Sequence, residues 1–220
     1  EVEDTWLDLL ARLDGVEDYH VYPETIYSDT VLEPNSLPVS SFFNVGYYRA
    51  KPGDSFGEPK GYIGGINTSY YTKDISGRVA YSKRLSDIID TVLLATGASK
   101  VNIVAHSMGG IVSRAAIRWQ GSHRKVNKLI TVGTPNKGVP NDARVWLVEN
   151  CKLQPWQEVE LIELEKSSVF NGKSYTGWLN HDWESFCEEH GIQYATIRGN
   201  FNSINVPFIE IGDGVVEEGD

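Results

Sequence analysis

The stretch VNIVAHSMGG, residues 101–110, decides the fold of this 220-residue chain. An apolar run stops at Ser107, and two glycines follow before apolar residues return at helical spacing. A strand-to-helix reversal on one residue strains the backbone and needs small residues two positions before and after, here Ala105 and Gly109. The stretch therefore predicts a nucleophile elbow, which indicates acyl-transfer chemistry. An ordinary turn with serine as helix N-cap is the alternative.

The flanking sequence alternates helix and strand. A helix precedes the elbow and ends at Gly97, a second helix follows the elbow, and Lys128–Val132 reads as a buried strand closed by a turn over 133–138. Further strands are predicted at Phe42–Tyr48 and Gln193–Arg198. The order is typical of a parallel sheet with right-handed crossovers, so the fold class is α/β. The helical stripes are Leu85, Ile88, Ile89, Val92, Leu93 and Ile111, Val112, Ala115, Ala116, Trp119, with Arg114 and Arg118 on other faces.

A serine hydroxyl is a poor nucleophile until a histidine takes its proton and an acid orients that histidine. The backbone N–H of Met108 is expected to point to the position of an oxyanion, supported by the positive end of the following helix. Asp213 lies between two glycines after an apolar run, in a turn that can present its carboxylate to a neighbouring loop. We therefore predict Asp213 as the acid, with a plain turn residue as the alternative.

The five histidines do not fit the expected order of nucleophile, acid and histidine, because none follows Asp213. His106 precedes the nucleophile and its side chain is expected on the opposite side, which favours packing over catalysis. The others fall in a polar loop or short strand, in a basic turn and at the ends of a short helix; they are His20, His123, His181 and His190. Recruitment of His181 or His190 as the base remains an alternative.

Residues 77–138 resemble the bacterial and archaeal lipases of the alpha/beta-hydrolase superfamily, especially those with an Ala-His-Ser-Met-Gly elbow and a Gly-Thr-Pro-Asn turn. Residues 212–216 resemble the segment that carries the triad acid in that family. The resemblance implies a mostly parallel sheet with flanking helices and an inserted helical cap. It also implies Ser107 as nucleophile, Asp213 as acid and the Met108 amide as one oxyanion donor. Related acyltransferases and lipid-anchor deacylases carry similar motifs.

The sequence also departs from the family pattern. Those lipases begin with a strand and a His-Gly loop, which gives the second oxyanion donor, and end with the histidine loop. This chain opens on an amphipathic helix around Trp6–Leu13 and ends shortly after Asp213. We therefore expect an internal fragment of a longer gene product, truncated at both ends. Such a fragment should hydrolyse p-nitrophenyl esters weakly or not at all, because loss of the base removes most of the acceleration of a triad.

Two insertions lie between the motifs. Residues 24–76 are expected to form an ordered loop whose tyrosines line an acyl-binding wall or simply pack the loop. Residues 140–191 are expected to form a cap, so that one domain over 1–220 consists of a core, 1–139 and 192–220, and this cap. The cap tryptophans either face lipid when the cap opens or are buried. The residues concerned are Tyr47, Tyr48, Tyr62, Tyr70, Tyr71 in the loop and Trp146, Trp156, Trp178, Trp183 in the cap.

Bulk composition fits a single globular domain, with 40% hydrophobic residues. The net charge of −10 disfavours nucleic acid and anionic membranes as partners. The sequence has no phosphate loop, dinucleotide fingerprint or zinc motif, so no cofactor or metal is expected. Cys151 and Cys187 are either bridged or two free thiols. Localisation is open between secreted, which the resemblance favours, and cytoplasmic, and the oligomeric state is open.

These patterns predict a serine hydrolase of the lipase or carboxylesterase type, with an ester or lipid substrate and transient lipid contact through the cap. The alternatives are a catalytically silent alpha/beta-hydrolase-like binding module and a related acyltransferase.

Overall fold

The structure is a computed structural model, which describes residues 20–52, 61–66, 71, 74–139, 158–165, 169–170 and 172–197. The predicted N-terminal helix, the turn around Asp213, Tyr70, Cys151 and the first two cap tryptophans lie outside these residues.

The described part alternates strands and helices. The strands are β1 His20–Ile26, β2 Ser41–Val45, β3 Gly61–Tyr62, β4 Val79–Ala80, β5 Val101–His106, β6 Val126–Val132, β7 Val169–Phe170, β8 Lys173–Ser174 and β9 Gln193–Ile197. The helices are α1 Tyr81–Thr96, α2 Met108–Trp119, α3 Glu158–Leu164, α4 Tyr175–Asn180 and α5 Trp183–His190, with a 3-10 turn at Ser122–Arg124.

Parallel pairing dominates the sheets. Strand β6 lies between β5 and β9, and all three run parallel. The pairs β1–β2 and β3–β4 are also parallel, whereas β7 and β8 form an antiparallel hairpin. Helix α2 connects β5 to its neighbour β6, as a crossover between parallel strands requires. The predicted α/β class is confirmed.

The main core lies between this sheet and helices α1 and α2. The apolar stripe of α2 points into it, with Ile111, Val112 and Ala115 fully buried. The stripe of α1 is divided, because Leu85 and Ile89 pack into this core while Ile88 and Val92 pack in a second cluster with Ile26. Helix α1 ends where expected, because Gly97 adopts a left-handed conformation (φ 67°) and its N–H bonds to the Leu93 carbonyl. Apolar periodicity alone therefore located the two helices that flank the elbow.

Strands β6 and β2 differ from the prediction in their bounds. Strand β6 begins at Val126, two residues before Lys128. Strand β2 ends at Val45 rather than Tyr48. The Gly46 N–H still bonds to the Ile26 carbonyl, but Tyr47 and Tyr48 leave the ladder and pack their rings at an angle against Tyr81. Aromatic packing across the chain therefore outweighs the strand propensity of these tyrosines.

The described part of the second insertion packs onto the same core. Leu179 of α4 and Trp183 and Cys187 of α5 are buried in it. Trp183 is 5% exposed, which corresponds to the buried alternative for this tryptophan. Cys187 carries a free thiol. The division into a core and a cap over 140–191 stays a prediction. Among the described helices, none is both long and apolar enough to cross a membrane.

Candidate active site

Ser107 sits between the end of β5 and the start of α2 with an unusual backbone. Its φ of 51° and ψ of −130° place it outside the regions that non-glycine residues normally occupy. Such strain persists only where surrounding contacts impose it, and it is concentrated at functional sites. The side chain is exposed. The structure thus places Ser107 at the sharp strand-to-helix turn that the sequence predicts.

Three hydrogen bonds hold this strained residue. The Ser107 N–H donates to the Val132 carbonyl at 2.9 Å, which extends the β5–β6 ladder by one residue. The Ser107 carbonyl accepts from the Gly110 N–H at 3.1 Å and from the Thr134 hydroxyl at 2.9 Å. Both backbone polar groups of Ser107 therefore have hydrogen-bond partners, which fix the backbone. The side chain of this fixed residue is exposed.

Of the two glycines that follow Ser107, Gly110 has the stricter requirement for glycine. A Cβ on Gly109 would lie 3.9 Å from the Ala105 Cβ, an ordinary van der Waals distance. A Cβ on Gly110 would instead overlap the buried Thr134 side chain. The sequence pattern singled out positions two before and two after the serine, but the tightest packing lies three after it.

Thr134 and Arg114 support the turn at Ser107 through hydrogen bonds that the sequence did not reveal. Thr134 follows β6 and is fully buried. The Asn136 N–H donates to the Thr134 carbonyl at 2.8 Å, and the Asn136 Oδ1 accepts from Arg114 Nη1 at 2.8 Å. Arg114 thus joins helix α2 to the turn that contacts Ser107. The Gly-Thr-Pro-Asn motif was the signal in the sequence for this turn. Arg114 was not expected to contact the turn, because the apolar stripe of the helix places Arg114 on another face.

The Arg114 guanidinium is buried among neutral partners. Its Nη2 donates to the Leu179 carbonyl at 3.1 Å and to Asn180 Oδ1 at 2.8 Å, and its Cζ lies 4.5 Å from the Trp183 ring. Burial lowers the pKa of Arg114 to about 10, so the group stays protonated at neutral pH. The cation therefore fixes α4 and α5 against the elbow helix.

Of the two predicted partners of Ser107, the structure describes Met108 but not Asp213. Met108 is the first residue of α2, and amides of a first helical turn have no acceptor within the helix. The Met108 N–H is thus suited to an oxyanion, as predicted, while its role stays a prediction. Asp213 lies outside the described residues, so its role as the acid also stays a prediction.

Three histidines lie toward the end of α2 opposite Ser107. His123 follows α2 in the 3-10 turn, and α2 with its 12 residues is about 18 Å long. The His190 ring lies 4.3 Å from the His123 ring. The His181 carbonyl accepts from Arg118 in the last turn of α2 at 2.8 Å. Apart from these, His20 begins β1 and His106 ends β5 beside Gly133.

A second group of buried polar residues joins α3 to the residues before α1. Glu163 Oε1 accepts from the Gly64 N–H at 2.8 Å and from the Tyr71 hydroxyl at 2.6 Å. Glu163 Oε2 accepts from the Ile63 N–H at 2.5 Å. Burial raises the pKa of Glu163 to about 8, although these three donors oppose the shift. The carboxyl thus anchors α3 to residues about a hundred positions earlier.

The described tyrosines of the first insertion pack against other parts of the chain. The Tyr71 hydroxyl donates to Glu163, and the rings of Tyr47 and Tyr48 pack against Tyr81. Their contacts correspond to the packing alternative, and an acyl-binding wall stays a prediction. Among the described residues, no group of three or more histidine, cysteine, aspartate or glutamate side chains is arranged to hold a metal ion.

A family model for a PGAP1-like alpha/beta domain matches residues 71–158. This segment contains β4, α1, β5, the elbow, α2 and β6. The match to an alpha/beta domain agrees with the parallel α/β topology of these elements.

Two curated relatives are triacylglycerol lipases. The lipase of Pseudarthrobacter phenanthrenivorans is 39% identical over 74 residues, which are 33% of this chain and 22% of the relative. The lipase of Burkholderia plantarii is 39% identical over 74 residues, 33% of this chain and 19% of the relative. The matches thus span about a fifth of these relatives' length. The mature lipase BlEst2 of Bacillus licheniformis aligns with 52% of this chain and 45% of its own, with 20% identity and a TM-score of 0.31.

Proposed function

We propose that this chain is part of a serine hydrolase with the alpha/beta-hydrolase fold of lipases and esterases, which acts on carboxylic esters and has lipid esters as its substrate class. One observation carries the proposal: Ser107 is exposed on a strained turn, with φ 51°, at the N-terminal end of α2. An exposed serine in this conformation is the defining feature of a nucleophile elbow. The curated relatives named as triacylglycerol lipases support the choice of ester substrates.

In the proposed reaction, the Ser107 Oγ attacks the ester carbonyl carbon while a histidine takes the hydroxyl proton. The carbonyl oxygen becomes an oxyanion, which the Met108 N–H and the positive end of α2 stabilise. Collapse of the tetrahedral intermediate breaks the bond to the leaving alcohol, which receives the proton from the histidine. Water then attacks the acyl-serine, releases the carboxylic acid and restores the hydroxyl. Asp213 is the proposed acid that orients the histidine.

The contacts of Ser107 favour this chemistry. Its carbonyl bonds to Thr134 and Gly110, and its N–H bonds to Val132, so the backbone is fixed before substrate arrives. A nucleophile held in the required position reacts without first losing conformational freedom.

Hydrolysis of p-nitrophenyl esters from acetate to palmitate tests the proposal. We expect the complete product of the reading frame to hydrolyse them and Ser107→Ala to abolish turnover. Ser36→Ala, at an exposed serine that bonds to the Glu33 carbonyl, is the matched control and should retain activity. Equal rates for Ser107→Ala and wild type would refute the proposal. Transfer of the acyl group to an added alcohol in preference to water would identify an acyltransferase.

A catalytically silent binding module is the second candidate. The placement of His123 and His190 toward the far end of α2 favours it, because their neighbouring rings are then remote from Ser107. A folded, complete protein that binds an ester analogue without reacting at Ser107 would support this candidate over the hydrolase.

A further inference from the structure

Tyr47 borders the turn that carries Ser107. It follows β2, and its hydroxyl oxygen lies 3.5 Å from the position that a Cβ on Gly109 would occupy. Gly109 is the second residue of α2 and the second after Ser107. Arg84 Nη1 donates to the Tyr47 carbonyl at 3.4 Å, so helix α1 contributes to holding the backbone at this point. The phenol therefore lies against the first turn of the helix whose N-terminal end faces the substrate in the proposed reaction.

Two further tyrosines hold the Tyr47 ring. The rings of Tyr47 and Tyr48 are 4.4 Å apart and their side chains share a hydrogen bond. The Tyr81 ring lies 5.6 Å from Tyr47 and 5.2 Å from Tyr48. A Cβ on Gly61 would overlap the Tyr81 ring, so β3 is shaped to admit it. The rings of the adjacent Tyr47 and Tyr48 and of the distant Tyr81 thus form one closely packed cluster, which we call the tyrosine cluster.

The tyrosine cluster is joined to a buried carboxyl on α3. The Tyr81 hydroxyl donates to Glu160 Oε1 at 2.6 Å, and Glu160 is 3% exposed. Burial raises the pKa of Glu160 to about 7, although Tyr81 and Arg78 oppose the shift. The titratable and charged groups that face Glu160 come from four places in the chain. They are Glu163 on its own helix, Tyr81 at the start of α1, Arg78 before β4, and Tyr47 and Tyr48 after β2.

We propose that Tyr47 is a positioning residue of the nucleophile elbow and that the buried carboxyl of Glu160 holds it there through Tyr81 and Tyr48. The inference rests on the proposed role of Ser107. It gives Tyr47 of the first insertion and Glu160 of the second an effect on catalysis. In the sequence they lie 60 residues before and 53 residues after Ser107. Loss of the Tyr47 hydroxyl should leave the rings packed but allow the first turn of α2 to shift. A misplacement of about 1 Å can lower a reaction rate roughly 100-fold.

The rate at which a fluorophosphonate modifies Ser107 in the complete protein tests the positioning role. We expect Tyr47→Phe to lower this rate about 10-fold, within the range that small misplacements produce, while loss of the hydrogen bond to Tyr48 lowers the melting temperature by only about 2–4 °C. Glu184→Gln, on the exposed side of α5, is the control and should react at the wild-type rate. An unchanged rate in Tyr47→Phe would overturn the proposal.

The backbone amide signal of Gly109 tests the link to Glu160 independently of any reaction. In the wild type we expect this NMR signal to shift with a midpoint near pH 7, the pKa of Glu160, and Glu160→Gln to remove the shift. The carboxamide oxygen can still accept from Tyr81, so this variant keeps the contact while losing the titration. A Gly109 titration that persists unchanged in Glu160→Gln would refute the link.

The two measurements separate this inference from the proposed function. If Ser107 never reacts but the Gly109 signal follows Glu160, the proposed function fails and the link between Glu160 and the elbow is supported. If Ser107 reacts equally fast in the wild type, Tyr47→Phe and Glu160→Gln, the proposed function stands and the inference fails.

Discussion

The elbow and the anchored helix α3 are held in contrasting ways. At the elbow, Ser107 bonds to Gly110 and to Val132 and Thr134, all within 27 residues. Helix α3 is held by Glu163, whose partners Ile63 and Gly64 lie 100 and 99 residues earlier. The elbow arises from neighbouring strands and a local motif, whereas α3 depends on buried polar contacts between distant segments. The two regions should therefore respond differently to substitution.

The largest effect is expected at the anchor of α3. Glu163→Ala would leave the Ile63 and Gly64 amides and the Tyr71 hydroxyl without their acceptor. An unsatisfied buried donor costs about 1–3 kcal/mol, so we expect the free energy of unfolding to fall by roughly 3 kcal/mol or more. Urea denaturation followed by circular dichroism measures this change. Glu184→Ala at an exposed position should change it by less than about 0.5 kcal/mol. A similarly small loss in Glu163→Ala would contradict the importance of the anchor.

A matched pair of glycine substitutions separates packing from helix propensity at the elbow. Alanine gains about 1 kcal/mol over glycine within a helix, so Gly109→Ala should be tolerated. Gly110→Ala should instead destabilise by about 1–3 kcal/mol, because its methyl group overlaps Thr134. The difference between their melting temperatures is the measurement. Equal stability of the two variants would mean that the elbow is not packed as described.

The anchor and the elbow also differ in how much of them the sequence predicts. The elbow, the two helices beside it and the strands β5 and β6 follow from apolar periodicity, a serine and small residues within about 50 positions. The acidic residues of α3 resemble a solvated face in the sequence, yet Glu160 and Glu163 are buried. Their partners are fixed only when the chain has folded, so no local pattern identifies them. Arg114 was missed for the same reason.

Thr134→Val removes one hydrogen bond at the elbow while keeping the side-chain shape. Ser107 still accepts from Gly110, so we expect a loss of about 1 kcal/mol in unfolding free energy. The rate at which a fluorophosphonate modifies Ser107 should also fall, and by more than a loss of about 1 kcal/mol in stability would cause, because the lost bond holds the Ser107 carbonyl. Thr91→Val, which removes a hydroxyl that donates to the Asp87 carbonyl within α1, is the control. A slower reaction in the control as well would argue against a specific role for Thr134.

The pH dependence of stability is also expected to depend on the anchored helix α3. Burial raises the pKa of Glu160 and Glu163 from 4.5 to about 7 and about 8, so the folded state binds more protons than the unfolded state. Their contribution is greatest below pH 4.5 and is lost as pH rises to about 8. Glu160→Gln should therefore reduce the fall in unfolding free energy between pH 5 and 8. A fall as steep as in the wild type would show that Glu160 titrates normally.

Covalent labelling of the complete protein by a fluorophosphonate, followed by mass spectrometric identification of the modified residue, tests whether Ser107 is a nucleophile. We expect one modified residue, Ser107, and no modification in a folded Ser107→Ala variant. Modification of another serine, or none in a folded wild-type protein, would contradict the claim that the strained turn at residue 107 presents a nucleophile.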